Sequence, residues 1–64
     1  MRDPMMATFN SNAQAVAAVT DLLNAGFLNV EHEQNGAAAL VVVDPGDRVA
    51  DVHQIFAAHG GVEL

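Results

Sequence analysis

No cysteine occurs in this chain, which excludes disulfides and thiolate metal sites. A small secreted domain is more often rich in disulfides, so the cytoplasm is the expected location. Lysine is absent too, leaving Arg2 and Arg48 as the permanent cations. Nucleic-acid affinity rests largely on Lys and Arg neutralising phosphates. A chain of net charge −6 with no basic stripe does not supply that. Nor can it be drawn electrostatically to an anionic membrane surface. No stretch approaches the roughly 18 apolar residues of a membrane span. The opening MRDPMMATF has no long apolar segment behind its charge, so no secretory signal is expected. Without cysteine, tyrosine or lysine, few nucleophiles remain, and no G-x-G-x-x-G or P-loop pattern occurs. Catalysis and cofactor binding are therefore not expected.

What remains is a short, apolar, acidic chain. At 64 residues it forms one domain, and such a domain buries only about 60% of its unfolded surface. With disulfides excluded, good packing or self-association must supply stability. The 52% hydrophobic content provides material for both. Residues 1–4 read as a flexible leader and residues 5–64 as the domain.

Periodicity and punctuation divide the domain into elements. Met5 to Phe9 is β-compatible. Ser11 stands three residues before Gln14, the spacing of a capping box. From Ala13 to Ala25, Val16, Val19, Leu22 and Leu23 predict the buried stripe of a helix. Gly26 is placed as its C-cap, with Phe27 folding back on the last turn. FLNVEHEQ reads as a strand with Leu28, Val30 and His32 on one face and Asn29, Glu31 and Glu33 on the other. Asn35-Gly36 is a hairpin signal. AAALVVV follows as a strand apolar at every position, so neither face expects water. Asp44 is expected as the N-cap of a second helix, with Pro45 at its first position and Asp47 complementing the dipole. Its predicted stripe is Val49, Val52, Ile55, Phe56 and His59. Gly60-Gly61 ends it, before a last short strand in VEL.

The order is β-α-β-β-α-β, which predicts a ferredoxin-like α+β fold. Right-handed crossovers give a four-stranded antiparallel sheet in order 4-1-3-2, with both helices on one face. The other face then carries alternate residues of the third strand, either Ala38, Leu40 and Val42 or Ala39, Val41 and Val43. An uncovered apolar face marks an interface. A homodimer packed through the sheet face or through a strand edge is therefore expected, with Phe9, Leu40, Val41, Val42 and Val43 as candidate interface residues.

The second half, LVVVDPGDRVADVHQIFAAHGGVEL, resembles the heat-induced general stress protein family of bacteria. In that pattern a valine-rich strand leads into Asp-x-x-x-Arg (here Asp44 and Arg48), an alanine-rich helix, His-Gly (His59-Gly60) and a short strand. The opening ATFNSNAQAVAAVTDLLNAGF is similar to the start of the same family, where a helix ends in Ala-Gly-Phe. Similar openings occur in the peptidoglycan-binding sporulation-related repeat and in other ferredoxin-like modules. Members often carry a long glycine-rich, membrane-like segment, which this sequence lacks. The resemblance implies a stress-related protein and carries over no catalytic residues.

The ionisable residues give no strong site. EHE, at Glu31 to Glu33, looks like a ligand cluster, but strand alternation sends His32 away from both carboxylates. His32 stays a candidate ligand only if another group meets it from elsewhere. His53 and His59 lie six apart on different helix faces, and zinc wants three or four convergent ligands. Asp44, Asp47 and Asp51 read as solvated acids around a helix start, not as a paired-acid site. The expected function is a noncatalytic interaction or regulatory module, stress-related and dimerising through its sheet. The alternative is a small-ligand-binding domain with a cleft at the dimer interface. A polar group such as Thr8 or His32 facing that cleft would favour the alternative.

Overall fold

A computed structural model describes residues 3–64. Met1 and Arg2, half of the expected leader, lie outside the described residues. The elements are β1 (Met5–Phe9), α1 (Asn12–Asn24), β2 (Val30–Asn35), β3 (Ala38–Val43), α2 (Val49–Ala58) and β4 (Val62–Glu63). The fold is α+β, with one four-stranded sheet in the order β2-β3-β1-β4. Every pairing in it is antiparallel. The wholly apolar β3 thus lies inside the sheet, where both its edges are hydrogen-bonded.

Register decides which residues share a face. Met5, Ala7 and Phe9 stand opposite Val43, Val41 and Ala39, which in turn face Val30, His32 and Gln34 of β2. Ala7, Phe9, Ala39, Val41 and Val43 from this face join Ala15, Ala18 and Leu22 of α1 and Val52 and Phe56 of α2 in one core. Both helices therefore cover the same side of the sheet. Phe9 and Phe56 meet edge to face, their ring centroids 6.0 Å apart, a favoured aromatic geometry.

Helix α1 starts as its sequence predicts. Ser11 is the N-cap, and its Oγ accepts the Gln14 N–H at 3.3 Å. The Gln14 side chain also donates to the His59 carbonyl at 3.3 Å, tying the start of α1 to the end of α2. At the other end, Gly26 N–H donates to Leu23 and Phe27 N–H to Leu22. That pair of bonds is the Schellman pattern, and it drops Phe27 into the core.

The buried stripe of α1 differs from the expected one. Ala15, Ala18 and Leu22 are buried and Val19 partly so, whereas Val16 is 45% and Leu23 51% exposed. Volume is the reason. The chain's three phenylalanines, Phe9, Phe27 and Phe56, all lie in the core. Alanine at positions 15 and 18 lets the helix backbone approach the sheet, with Leu22 filling the core beside them.

Helix α2 also begins later than expected. Asp44 does not cap it. Its Oδ1 accepts the Gly46 N–H at 3.0 Å, and Arg48 N–H closes a turn onto the Pro45 carbonyl at 2.9 Å. An aspartate bonded to a backbone two residues on makes a turn of its own instead of a helix start. The first helical residue is Val49, and Arg48 at the N-cap makes no side-chain capping bond. Val49 is 41% exposed, so Val52, Phe56 and, in part, Ile55 carry the buried stripe.

The hairpin turn is displaced by one residue. Asn35 pairs with Ala38, leaving Gly36 and Ala37 as the loop. Gly36 has φ +65° and no non-glycine residue among those described has positive φ. Only the first loop residue is left-handed, as in a type II′ turn with glycine leading.

Candidate functional site

The face of the sheet away from the helices is the candidate site. Its residues follow from register: Met6 and Thr8 of β1, Leu40 and Val42 of β3, Val62 of β4, and Glu31 and Glu33 of β2. Leu64 donates its N–H to the Met6 carbonyl at 3.0 Å, which carries the ladder one residue past β4. Leu40, Val42 and Thr8 are half-buried, Met6 is 38% exposed, Val62 64% and Leu64 75%. An apolar strip thus crosses the sheet from β3 to β4, with two carboxylates along its β2 margin. A shallow concavity at that margin is lined by Glu31, His32, Glu33, Leu40 and Val42.

Of the five candidate interface residues, Leu40 and Val42 reach this face. Phe9, Val41 and Val43 do not. They are 2%, 0% and 0% exposed, inside the core beneath the helices. Phe9 packs on Phe56, and the helix-facing side of β3 takes Val41 and Val43. Met6, Val62 and Leu64 were missed by the sequence reading. The signal was the alternation of MMATF around the core residue Phe9, and of VEL around Glu63.

His32 and the two glutamates point to opposite sides of the edge strand, as alternation requires. His32 stands opposite Val41 and is exposed, and its side chain has no hydrogen-bond or ion-pair partner among the described residues. The other histidines are engaged elsewhere. His53 Nδ1 contacts the Glu63 carboxylate, bridging α2 to β4. His59 Nε2 lies 2.6 Å from Asp21 Oδ2, bridging α2 to α1. Among the described residues, no three His, Cys, Asp or Glu side chains gather where they could hold a metal ion.

The acids at the start of α2 are divided as well. Asp44 accepts the Gly46 N–H, and Asp51 takes the Arg48 Nε at 3.0 Å. Ser11 Oγ is bound up in its cap with Gln14. The His59 ring faces Asp21, and it is the His59 backbone carbonyl that bonds Gln14, so these groups form no relay from a hydroxyl to an imidazole. Among the described residues, no helix is long and apolar enough to cross a membrane.

Compared with family models, curated proteins and solved structures, the chain shows no match.

Proposed function

We propose that this protein is a noncatalytic interaction module that pairs with a second copy through the open face of a ferredoxin-like sheet. One observation carries the reading. Met6, Leu40, Val42, Val62 and Leu64 form a continuous apolar strip that neither helix covers, while on the opposite face the side chains of β1 and β3 pack beneath the helices. Removing such a strip from water is favourable at about 25 cal/mol per Å². The small size of the core supports the same reading, since association adds stability that 64 residues supply sparingly.

Charge favours the face over the edge. Antiparallel pairing of two β2 edges about a two-fold centred on His32 would set Glu31 opposite Glu33, twice. Centring it on Glu31 or Glu33 would set a carboxylate against its own copy. Like charges directly opposed are destabilising, and charged edges discourage such pairing. The other edge, β4, is two residues long. Resemblance to the general stress protein family supports a stress-related role, and the absence of cysteine supports the cytoplasm as its setting. The −6 charge supports a partner other than nucleic acid.

Sedimentation velocity at micromolar concentration tests the reading: a dimer is expected, and a monomer overturns it. A second reading is favoured by Thr8, a hydroxyl in the middle of the open face, beside the concavity at the β2 margin. On that reading the dimer closes over a small ligand. Native mass spectrometry separates the two, because it weighs the dimer with anything it retains.

A further inference from the structure

The dimer reading above leaves open how the two sheets are turned relative to each other, and the face itself holds the answer. We infer that the two-fold axis of the dimer runs parallel to the strands, between β3 and β1, so that β2 of each copy lies over β4 of the other. The inference rests on that reading and concerns the same face.

The open-face side chains fall into two rows across the sheet. One row is Glu33, Leu40, Thr8 and Val62, each register partner of the next. The other is Glu31, Val42 and Met6, extended by Leu64 through its bond to Met6. Each row has a carboxylate at the β2 end and an aliphatic side chain at the β4 end. Two sheets stacked face to face lie about 10 Å apart with their strands nearly aligned. A two-fold in the interface can then run along the strands or across them.

An axis across the strands sets β2 over β2. Glu31 of each copy then faces Glu33 of the other, and four carboxylates crowd one margin. An axis along the strands reverses each row. Leu40 then faces Thr8 of the second copy, Val42 faces Met6, Glu33 faces Val62 and Glu31 faces Leu64. An axis across the strands also sets Leu40 over Val42 and Val62 over Leu64, the closer aliphatic match, but it crowds the four carboxylates, and charge decides against it. With the axis along the strands, the stems of Glu31 and Glu33 cover the second copy's exposed Val62 and Leu64. Their carboxylates stay in water at the rim, where charged groups belong in an interface. No cation is needed to neutralise them. That matters because the chain's nearest described cation, Arg48, is bound to Asp51 and to the Ala25 carbonyl.

The absence of native cysteine makes the test clean. Two variants, Glu33→Cys and Val62→Cys, both at exposed positions, are mixed and treated with a bis-maleimide spanning about 10 Å, the sheet spacing. Mass spectrometry distinguishes the three possible products. The inference expects mixed E33C–V62C products to exceed either self-linked product severalfold. Predominant E33C self-linking overturns it in favour of an axis across the strands. Linking of neither kind, in a sample that sediments as a dimer, overturns it in favour of a crossed arrangement. A monomer by sedimentation overturns both the arrangement and the dimer reading, so the two failures are distinguishable.

A second arm uses Glu31→Gln with Glu33→Gln. With the axis along the strands, dimer affinity changes by less than about threefold, because rim charges contribute little. Tightening by about tenfold or more, lost at high salt, would mean that the carboxylates repel across the interface, and would overturn the inference.

Discussion

The guanidinium of Arg48 lies over the ring of Phe27, 4.4 Å from its centroid. The same side chain donates Nη1 to the Ala25 carbonyl at 2.7 Å and Nε to Asp51 at 3.0 Å. One residue therefore holds the end of α1 against the start of α2 and satisfies a carbonyl that the helix end leaves free.

Replacing Arg48 with alanine is expected to destabilise the fold by about 1–2 kcal/mol, the combined scale of an exposed cation–π contact and one solvent-exposed hydrogen bond. Lysine recovers only part of this, because a compact ammonium does not span three partners. Asp51→Ala changes stability by less than about 0.5 kcal/mol, as its ion pair is solvent-exposed. Urea unfolding midpoints check the ranking. Equal midpoints for R48A and D51A would reduce the Arg48–Phe27 contact to a surface coincidence.

Gly61 and Gly36 are needed for different reasons. A Cβ on Gly61 would meet the Phe9 ring at 2.7 and 2.8 Å and the Phe56 carbonyl oxygen at 3.1 Å. Gly61→Ala is therefore an overpacking change and is expected to cost about 1–3 kcal/mol. A Cβ on Gly36 meets nothing within 4 Å, but φ there is +65°. Gly36→Ala is expected to cost about 1 kcal/mol from backbone strain alone. Thermal unfolding of the two variants separates them by several degrees for a domain this small, at roughly 4–8 °C per kcal/mol.

Val41 and Val42 are chain neighbours with opposite roles. Val42→Asp places a charge on the open face and is expected to give a folded monomer, seen as an unchanged far-ultraviolet spectrum with a halved sedimenting mass. Val41→Ala leaves a cavity in the core and is expected to cost about 2 kcal/mol while leaving the folded molecules dimeric. A dimeric V42D would remove the open face from the interface.

Thr8 brings a hydroxyl into an otherwise aliphatic strip. Burying it without a partner is unfavourable, so Thr8→Val is expected to tighten the dimer by roughly fivefold, about 1 kcal/mol. If the dimer instead closes over a ligand bound through Thr8, the variant keeps its affinity for its copy and loses the retained mass. Analytical ultracentrifugation and native mass spectrometry report the two outcomes.

His32 is expected to be silent. Titration of the protein with zinc should give no calorimetric signal at micromolar metal, since among the described residues no second and third ligand converge with it. His32→Gln should shift stability by less than about 0.5 kcal/mol, as for other exposed positions. Measurable heat that disappears in H32Q would restore it as a ligand.

Much of the fold was legible in local sequence. The Ser11 cap and the Ala25-Gly26-Phe27 ending follow from backbone groups that only a few residue types can satisfy. So does the alternation that parts His32 from Glu31 and Glu33. The errors came where local signals competed. Asp44 had the chemistry for a helix cap or for a turn, and the backbone of Gly46 claimed it. Asn35-Gly36 suited one hairpin loop and Gly36-Ala37 another, separated by one residue. The valines of α1 outweigh its alanines on any hydrophobicity scale, yet the alanines are the ones against the sheet.

By itself, then, the sequence determined the order of the elements and the central place of the apolar strand, and it holds no thiol, no lysine and no G-x-G-x-x-G or P-loop pattern. Each of these depends on residue type or short-range spacing. Only the tertiary structure decided which side of β3 meets the helices, because Leu-Val-Val-Val is apolar at every position and has no alternation to read. That choice is settled by the register with β1, where Phe9 and Ala7 join the core and Met6 and Thr8 do not. The pairings of His59 with Asp21 and His53 with Glu63 were likewise invisible in the chain. They span distances in sequence that helix and strand periods do not reach, and they exist because the fold sets the end of α2 beside α1 and lays α2 over β4.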